Sequence, residues 1–213
     1  QSSIDMTPTE FRNLPPVRID YGKDWSLYKS EVVVKQPEEL KHQVARAYRL
    51  FKNTFPNHDS TLSQTEHQSG FSFYNVFALT SPSPLFWLLY RDIRTIVRNS
   101  MNPVTCKMED GQPLWMQSWI NYHTPNEVLD WHGHDYPWHG YVSIDPKDTT
   151  TVFKGEEEYF INNSVGNIYF GPGDRVHKVV VNNDYSGPRI TIGFDILDEP
   201  SVPDDSFSLI PLL

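Results

Sequence analysis

The spacing of hydrophobic and polar positions changes near the middle of the chain. Before residue 114, the longest patterned stretches repeat at helical intervals. From Leu114 onward, short β-rich runs alternate with Gly, Pro, Asn and Asp. The first period belongs to amphipathic helices and the second to strands joined by tight turns.

In chain order, Gln1 to Ser30 is polar and carries Pro8, Pro15 and Pro16, which predicts an irregular lead-in with one short strand near Val17–Asp20. Glu31-Val32-Val33-Val34-Lys35 is β-branched and predicts a strand. Pro37-Glu38-Glu39 opens a helix, with acidic residues where the helix dipole favours them. Leu40, Val44, Ala47, Tyr48 and Phe51 form its apolar stripe, and it should stop near Asn53. A polar loop follows from Asn57 to Gly70, then a strand over Phe71–Val76. Ser83-Pro84 is a good helix start, a capping hydroxyl followed by proline in the first turn. Leu85, Leu88, Leu89, Ile96 and Val97 give that helix its buried face. Both helices read as packing support and carry no ligand cluster.

Strands are expected at Leu114–Tyr122, His139–Ile144, Thr149–Phe153, Glu158–Ile161, Asn167–Phe170, Val176–Val181 and Arg189–Ile196. Regular short strands of this kind close into a double-sheet jelly roll. The expected fold is mainly β: a double-stranded β-helix, cupin-like, with supporting N-terminal helices. One domain spans 1–213, with support in 1–113, the jelly-roll core in 114–197 and a tail in 198–213. That tail should pack loosely or cover a sheet edge.

Composition narrows the class. With 38% hydrophobic and 21% charged residues the chain is globular. A net charge of −9 argues against a nucleic-acid surface, which needs a basic face. No apolar run reaches membrane-spanning length. Cys106 is the one cysteine, so no intrachain disulfide forms, which fits a reducing, cytoplasmic setting. No signal-peptide pattern opens the sequence, and its start at Gln1 fits a missing upstream piece or tag.

The candidate chemistry lies in the β-rich half. His132 and His134 are two apart, so on a strand they face the same way. His177 follows the turn Gly171-Pro172-Gly173-Asp174 and can reach them from a neighbouring strand. Imidazole binds iron, zinc, copper or nickel. A lone histidine is more often a surface or core residue, and His42, His58, His67 and His123 are read so. His139 is five after His134 and should face oppositely, leaving it a pocket or outer-sphere candidate.

These residues resemble the iron(II)/2-oxoglutarate-dependent oxygenase superfamily, in its prolyl-4-hydroxylase-like branch with an H-x-H form of the metal motif. The resemblance covers roughly Trp115–Ile196. It implies a metal held by His132, His134 and His177. It implies 2-oxoglutarate held by Arg189, with Tyr122 and Thr191 donating hydroxyl hydrogen bonds. A guanidinium fork does match a carboxylate bidentately. His134 stands where the family has an acid; either it ligates, which is favoured, or Asp135 or Asp130 substitutes. The expected activity is hydroxylation of an unidentified substrate, using Fe(II) and 2-oxoglutarate. A cupin-type three-histidine enzyme without 2-oxoglutarate and a non-catalytic binding module are the alternatives. The partner would be a small molecule or peptide, with no membrane and with nucleic acid disfavoured by charge.

Overall fold

A computed structural model describes residues 14–20, 26–54, 74–80, 83–100, 114–125, 130–198 and 208–212. Two short strands lead, β1 (Val17–Asp20) and β2 (Ser26–Lys29). Among the described residues four helices follow: α1 (Glu31–Lys35), α2 (Pro37–Thr54), α3 (Val76–Leu79) and α4 (Pro84–Ser100). The β-rich half supplies β3 (Leu114–His123), β4 (Trp138–Asp145), β5 (Thr149–Phe153), β6 (Tyr159–Asn162), β7 (Asn167–Pro172), β8 (His177–Val181) and β9 (Arg189–Leu197), with β10 (Ile210–Leu212) last.

Among the described residues these strands make a seven-stranded sheet, in the order β1-β2-β7-β4-β9-β3-β10, and a three-stranded sheet, β6-β5-β8. All pairings are antiparallel. The two sheets enclose a small core of Leu27, Tyr141, Phe153, Ile161 and Tyr169.

The centre of the large sheet is buried on both faces, and β9 is buried at every position. Ile190, Ile192, Phe194 and Ile196 join the main core with Leu40, Val44 and Phe51 of α2 and Leu89, Ile93 and Ile96 of α4. Each such side chain contributes about 1.5–3 kcal/mol by leaving water. Arg189, Thr191, Gly193 and Asp195 alternate with them and look into the space between the sheets. The helices therefore fix the sheet from behind and leave its inner face to polar chemistry.

Two expectations are corrected. Glu31–Lys35 is a helix, not a strand: Ser30 caps it, accepting from Val33 N at 3.4 Å. The cap and the first-turn Glu31 outweigh the β-branched composition, and Val32 and Val33 are both buried. Gly166 (φ +91°), in the β6–β7 turn, closes against this helix, since a Cβ there would lie 2.5 Å from Val34. Of the strand expected over Phe71–Val76, the first three residues lie outside the described residues. Asn75 is a helix cap, accepting from Phe77 N at 3.0 Å, and Val76 begins α3. At the far end, β10 pairs with Leu114–Met116 and covers the β3 edge of the large sheet.

Candidate metal centre

Residues 130–137, which lead into β4, are laid across the mouth of the jelly roll by backbone bonds. His132 and His177 exchange N–H···O bonds of 3.0 and 2.9 Å. His134 N donates to Gly173 O, and Gly173 N donates to Pro137 O, each at 2.9 Å. Gly173 is required here, because a Cβ would fall 1.8 Å from Tyr136 O. This clamp brings His132 and His134 to His177 at the start of β8.

The ligand atoms of His132, His134 and His177 lie within 4.8 Å of one another. Each ring has an acceptor at Nδ1. His132 Nδ1 is 2.7 Å from Asp130 O, His177 Nδ1 is 3.0 Å from Arg175 O, and His134 Nδ1 is 3.2 Å from Asp195 Oδ1. An acceptor at Nδ1 selects the tautomer whose Nε2 lone pair is available. His134 Nε2 is buried and makes no hydrogen bond among the described residues. Burial pushes the His177 ring well below its ordinary pKa, and burial likewise lowers His132 against the opposing Asp130 carbonyl. Neutral imidazole is the form that binds a metal, so the residues present fit one.

Behind this trio lies a second layer. His139 stacks on His134, with centroids 3.6 Å apart and planes at 10°. Its Nδ1 is also 3.2 Å from Asp195 Oδ1. Burial, with His134 alongside, pushes His139 down to about 4. Burial opposes the charge on Asp195, yet the hydrogen bonds from His134 and His139 hold its carboxyl below the usual range. His134, His139 and Asp195 also form a group close enough to share an ion. Trp119 packs over Gly193 and beside both rings, 5.8 Å from His134 and 6.2 Å from His139.

His139 faces inward, contrary to the alternation argument, because the turn at 135–137 resets the strand's parity. Asp195 escaped notice; the available signal was a lone acid inside the apolar strand Ile190–Leu197. Asp135 and Asp130 are exposed and belong to neither cluster. Asp130 instead accepts from Trp131 N at 2.7 Å.

Arg189 and Thr191 lie inward on β9, upstream of Asp195. Arg189 is 3% exposed, and its Nη2 donates to His123 Nδ1 at 2.6 Å. Asn121 Nδ2 donates to Thr191 Oγ1 at 3.1 Å. Tyr122 does not join them. It pairs with Ile190 in register, so it faces the helices, and its ring stacks on Tyr48 at 4.8 Å. Asn121 and His123 take the inward positions on either side of it. Trp131 faces outward beneath Lys154 and Lys178, whose ammonium groups lie 4.4 and 4.6 Å from its ring centre.

No family model and no curated protein matches the chain. Among solved structures, the non-heme alpha-ketoglutarate-dependent carbocyclase SnoK of nogalamycin biosynthesis aligns over 93% of this chain and 86% of its own, with a TM-score of 0.55 and 10% identity. The chain is a double-stranded β-helix. A 2OG-Fe(II) oxygenase-family oxidoreductase from Burkholderia pseudomallei aligns over 91% of this chain and 77% of its own, at 8% identity and a TM-score of 0.45. The alpha-ketoglutarate-dependent epimerase SnoN aligns over 55% of this double-stranded β-helix at 11% identity and a TM-score of 0.37, and the match spans only 58% of SnoN. At these identities the likeness is one of fold.

Proposed function

We propose that this protein is a non-haem iron(II) oxygenase that uses 2-oxoglutarate to hydroxylate a small molecule or peptide. The observation that carries the reading is the trio His132, His134 and His177, each with Nδ1 against an acceptor and Nε2 left to bind. Three ligands on one side leave coordination positions open, as oxygen-dependent iron sites require. When bound, iron(II) would supply the redox chemistry that couples decarboxylation of 2-oxoglutarate to oxygen insertion.

The chain's own residues orient and enclose. Arg189 would take the distal carboxylate, with Thr191 and Asn121 beside it. Ser143, in register with Thr191, has a fully buried hydroxyl that makes no hydrogen bond among the described residues, as a pocket for a polar ligand requires. Trp119, Tyr141 and Tyr169 line the interior between the two ends and keep it poor in water.

One observation favours a second reading, a three-histidine metal enzyme without 2-oxoglutarate: the Arg189 guanidinium is held by His123. Anaerobic Fe(II) and 2-oxoglutarate titrations, then succinate release under O₂, separate the two. Iron binding with no 2-oxoglutarate binding would select the second reading. No iron binding would end both.

A further inference from the structure

We propose that Asp195 supplies, through His134, the negative charge that a three-imidazole site lacks. It is thereby the positioning residue that tunes the affinity and potential of the bound ion. This rests on the metal reading above.

The three imidazoles are not equivalent. His132 and His177 meet neutral carbonyls at Nδ1, those of Asp130 and Arg175. His134 alone among them meets a carboxylate, Asp195 Oδ1 at 3.2 Å. That carboxylate is 2% exposed and ringed by donors. His139 Nδ1 approaches the same oxygen at 3.2 Å, and Gln117 Nε2 donates to Oδ2 at 2.9 Å. A protonated carboxyl would place an O–H among N–H groups, whereas an ionised one accepts from all of them.

Gln117 is fixed in turn. Its Oε1 accepts from Ser208 Oγ at 3.4 Å, and Ser208 O accepts from Asn75 Nδ2 at 2.7 Å. Asn75 also bonds Met116 O and receives Ser118 Oγ. The segment leading into β10 thus braces the carboxylate. The stacked His139 ring prevents His134 from turning away. A carboxylate that accepts from the far N–H of a ligating imidazole makes its Nε2 a stronger donor. The charge that an H-x-D/E motif places directly on the metal stands here one imidazole further out.

The test uses the full chain and Fe(II) under anaerobic conditions. Affinity is measured by calorimetry and the Fe(III)/Fe(II) potential by redox titration. Asp195→Asn keeps the shape and removes the charge. Fe(II) affinity should fall about 10–100-fold, and the potential should rise. His134→Asp combined with Asp195→Asn returns a carboxylate to the site and should recover most of that affinity. Should Asp195→Asn fail to fold, His139→Phe carries the test. It keeps a stacked ring, frees Oδ1 for His134 alone, and should lower the potential. Unchanged affinity and potential in Asp195→Asn would overturn the proposal. So would lost affinity with an unchanged potential, which marks packing only. Complete loss of binding without recovery in the double variant would overturn it too, by making Asp195 a ligand. A wild type that binds no Fe(II) would instead remove the metal reading itself.

Discussion

Asp92→Asn should stabilise the protein at neutral and alkaline pH and do little in acid. Asp92 lies on the buried face of α4, 1% exposed, and receives Ser30 Oγ at 2.7 Å. Burial pushes its carboxyl up to about 6, partly offset by the Ser30 hydrogen bond. The unfolded value is near 3.8, so the native state holds this proton more tightly. Stability from that proton is complete below about pH 4 and is lost as pH rises through about 6. The shift of about two units corresponds to about 3 kcal/mol at pH 8. Asparagine keeps an acceptor for Ser30 and never ionises, so it escapes that penalty. For a chain of this size the gain is about 6–12 °C in Tm at pH 8, shrinking to a few degrees or less at pH 4. The assay is thermal unfolding of both proteins across pH 4–8 with a chelator present throughout, so that metal linkage cancels in the difference. A Tm difference independent of pH would refute the reasoning, since only a titrating group produces the trend.

Three further outcomes follow from the site. Arg189→Ala should weaken 2-oxoglutarate binding on the order of a hundredfold, because a charge-assisted pair is lost, while Fe(II) affinity measured by calorimetry stays near wild type. Saturating the wild type with Fe(II) at about 100 times its Kd should add about 2.7 kcal/mol of stability; the accompanying Tm increase should vanish with chelator and in His177→Ala. Gly193→Ala would set a Cβ 2.5 Å from the Trp119 ring and push the indole off His134 and His139. Weaker Fe(II) binding should accompany that shift, with Trp fluorescence reporting the displaced ring.

The strands of the β-rich half were legible because short β-rich runs there are separated by Gly, Pro, Asn and Asp turn residues. Thr149–Phe153 is the clearest case, with observed bounds equal to those expected. The two long helices were legible from their apolar stripes. The short helices were not. Val32-Val33-Val34 favours a strand by composition, and only the Ser30 cap and docking against the β6–β7 turn decide for a helix. The candidate site was half legible. A two-residue spacing and a turn single out His132, His134 and His177, while Arg189 and Thr191 came only from the resemblance, alternation adding that they share a face. Alternation fails across an irregular turn, which hid His139. The inward partners on β3 were hidden by register. Nothing local distinguishes Asn121 and His123 from Tyr122 until β3 is set against β9, and the pairs Asn121–Thr191 and His123–Arg189 appear.

That register explains how one strand serves two purposes. β9 is buried along its length, which would ordinarily demand a continuous apolar run. Its inward residues are instead Arg189, Thr191, Gly193 and Asp195, and every polar one has a partner across a neighbouring strand or the mouth. Arg189 meets His123, Thr191 meets Asn121, and Asp195 meets Gln117, His134 and His139. Buried polar groups are tolerable when satisfied, and a satisfied row holds a cavity in one shape. The cation and the carboxylate stand at opposite ends of the row, six residues apart, or about 20 Å of backbone. They do not neutralise each other. On the proposed reading, the distal carboxylate of 2-oxoglutarate would lie toward Arg189 and the metal toward the histidines backed by Asp195. Stability is carried by the other face, where Ile190, Ile192, Phe194 and Ile196 pack on the helices. Because the two sets alternate along one strand, the inner face can be polar without loosening the sheet that presents it.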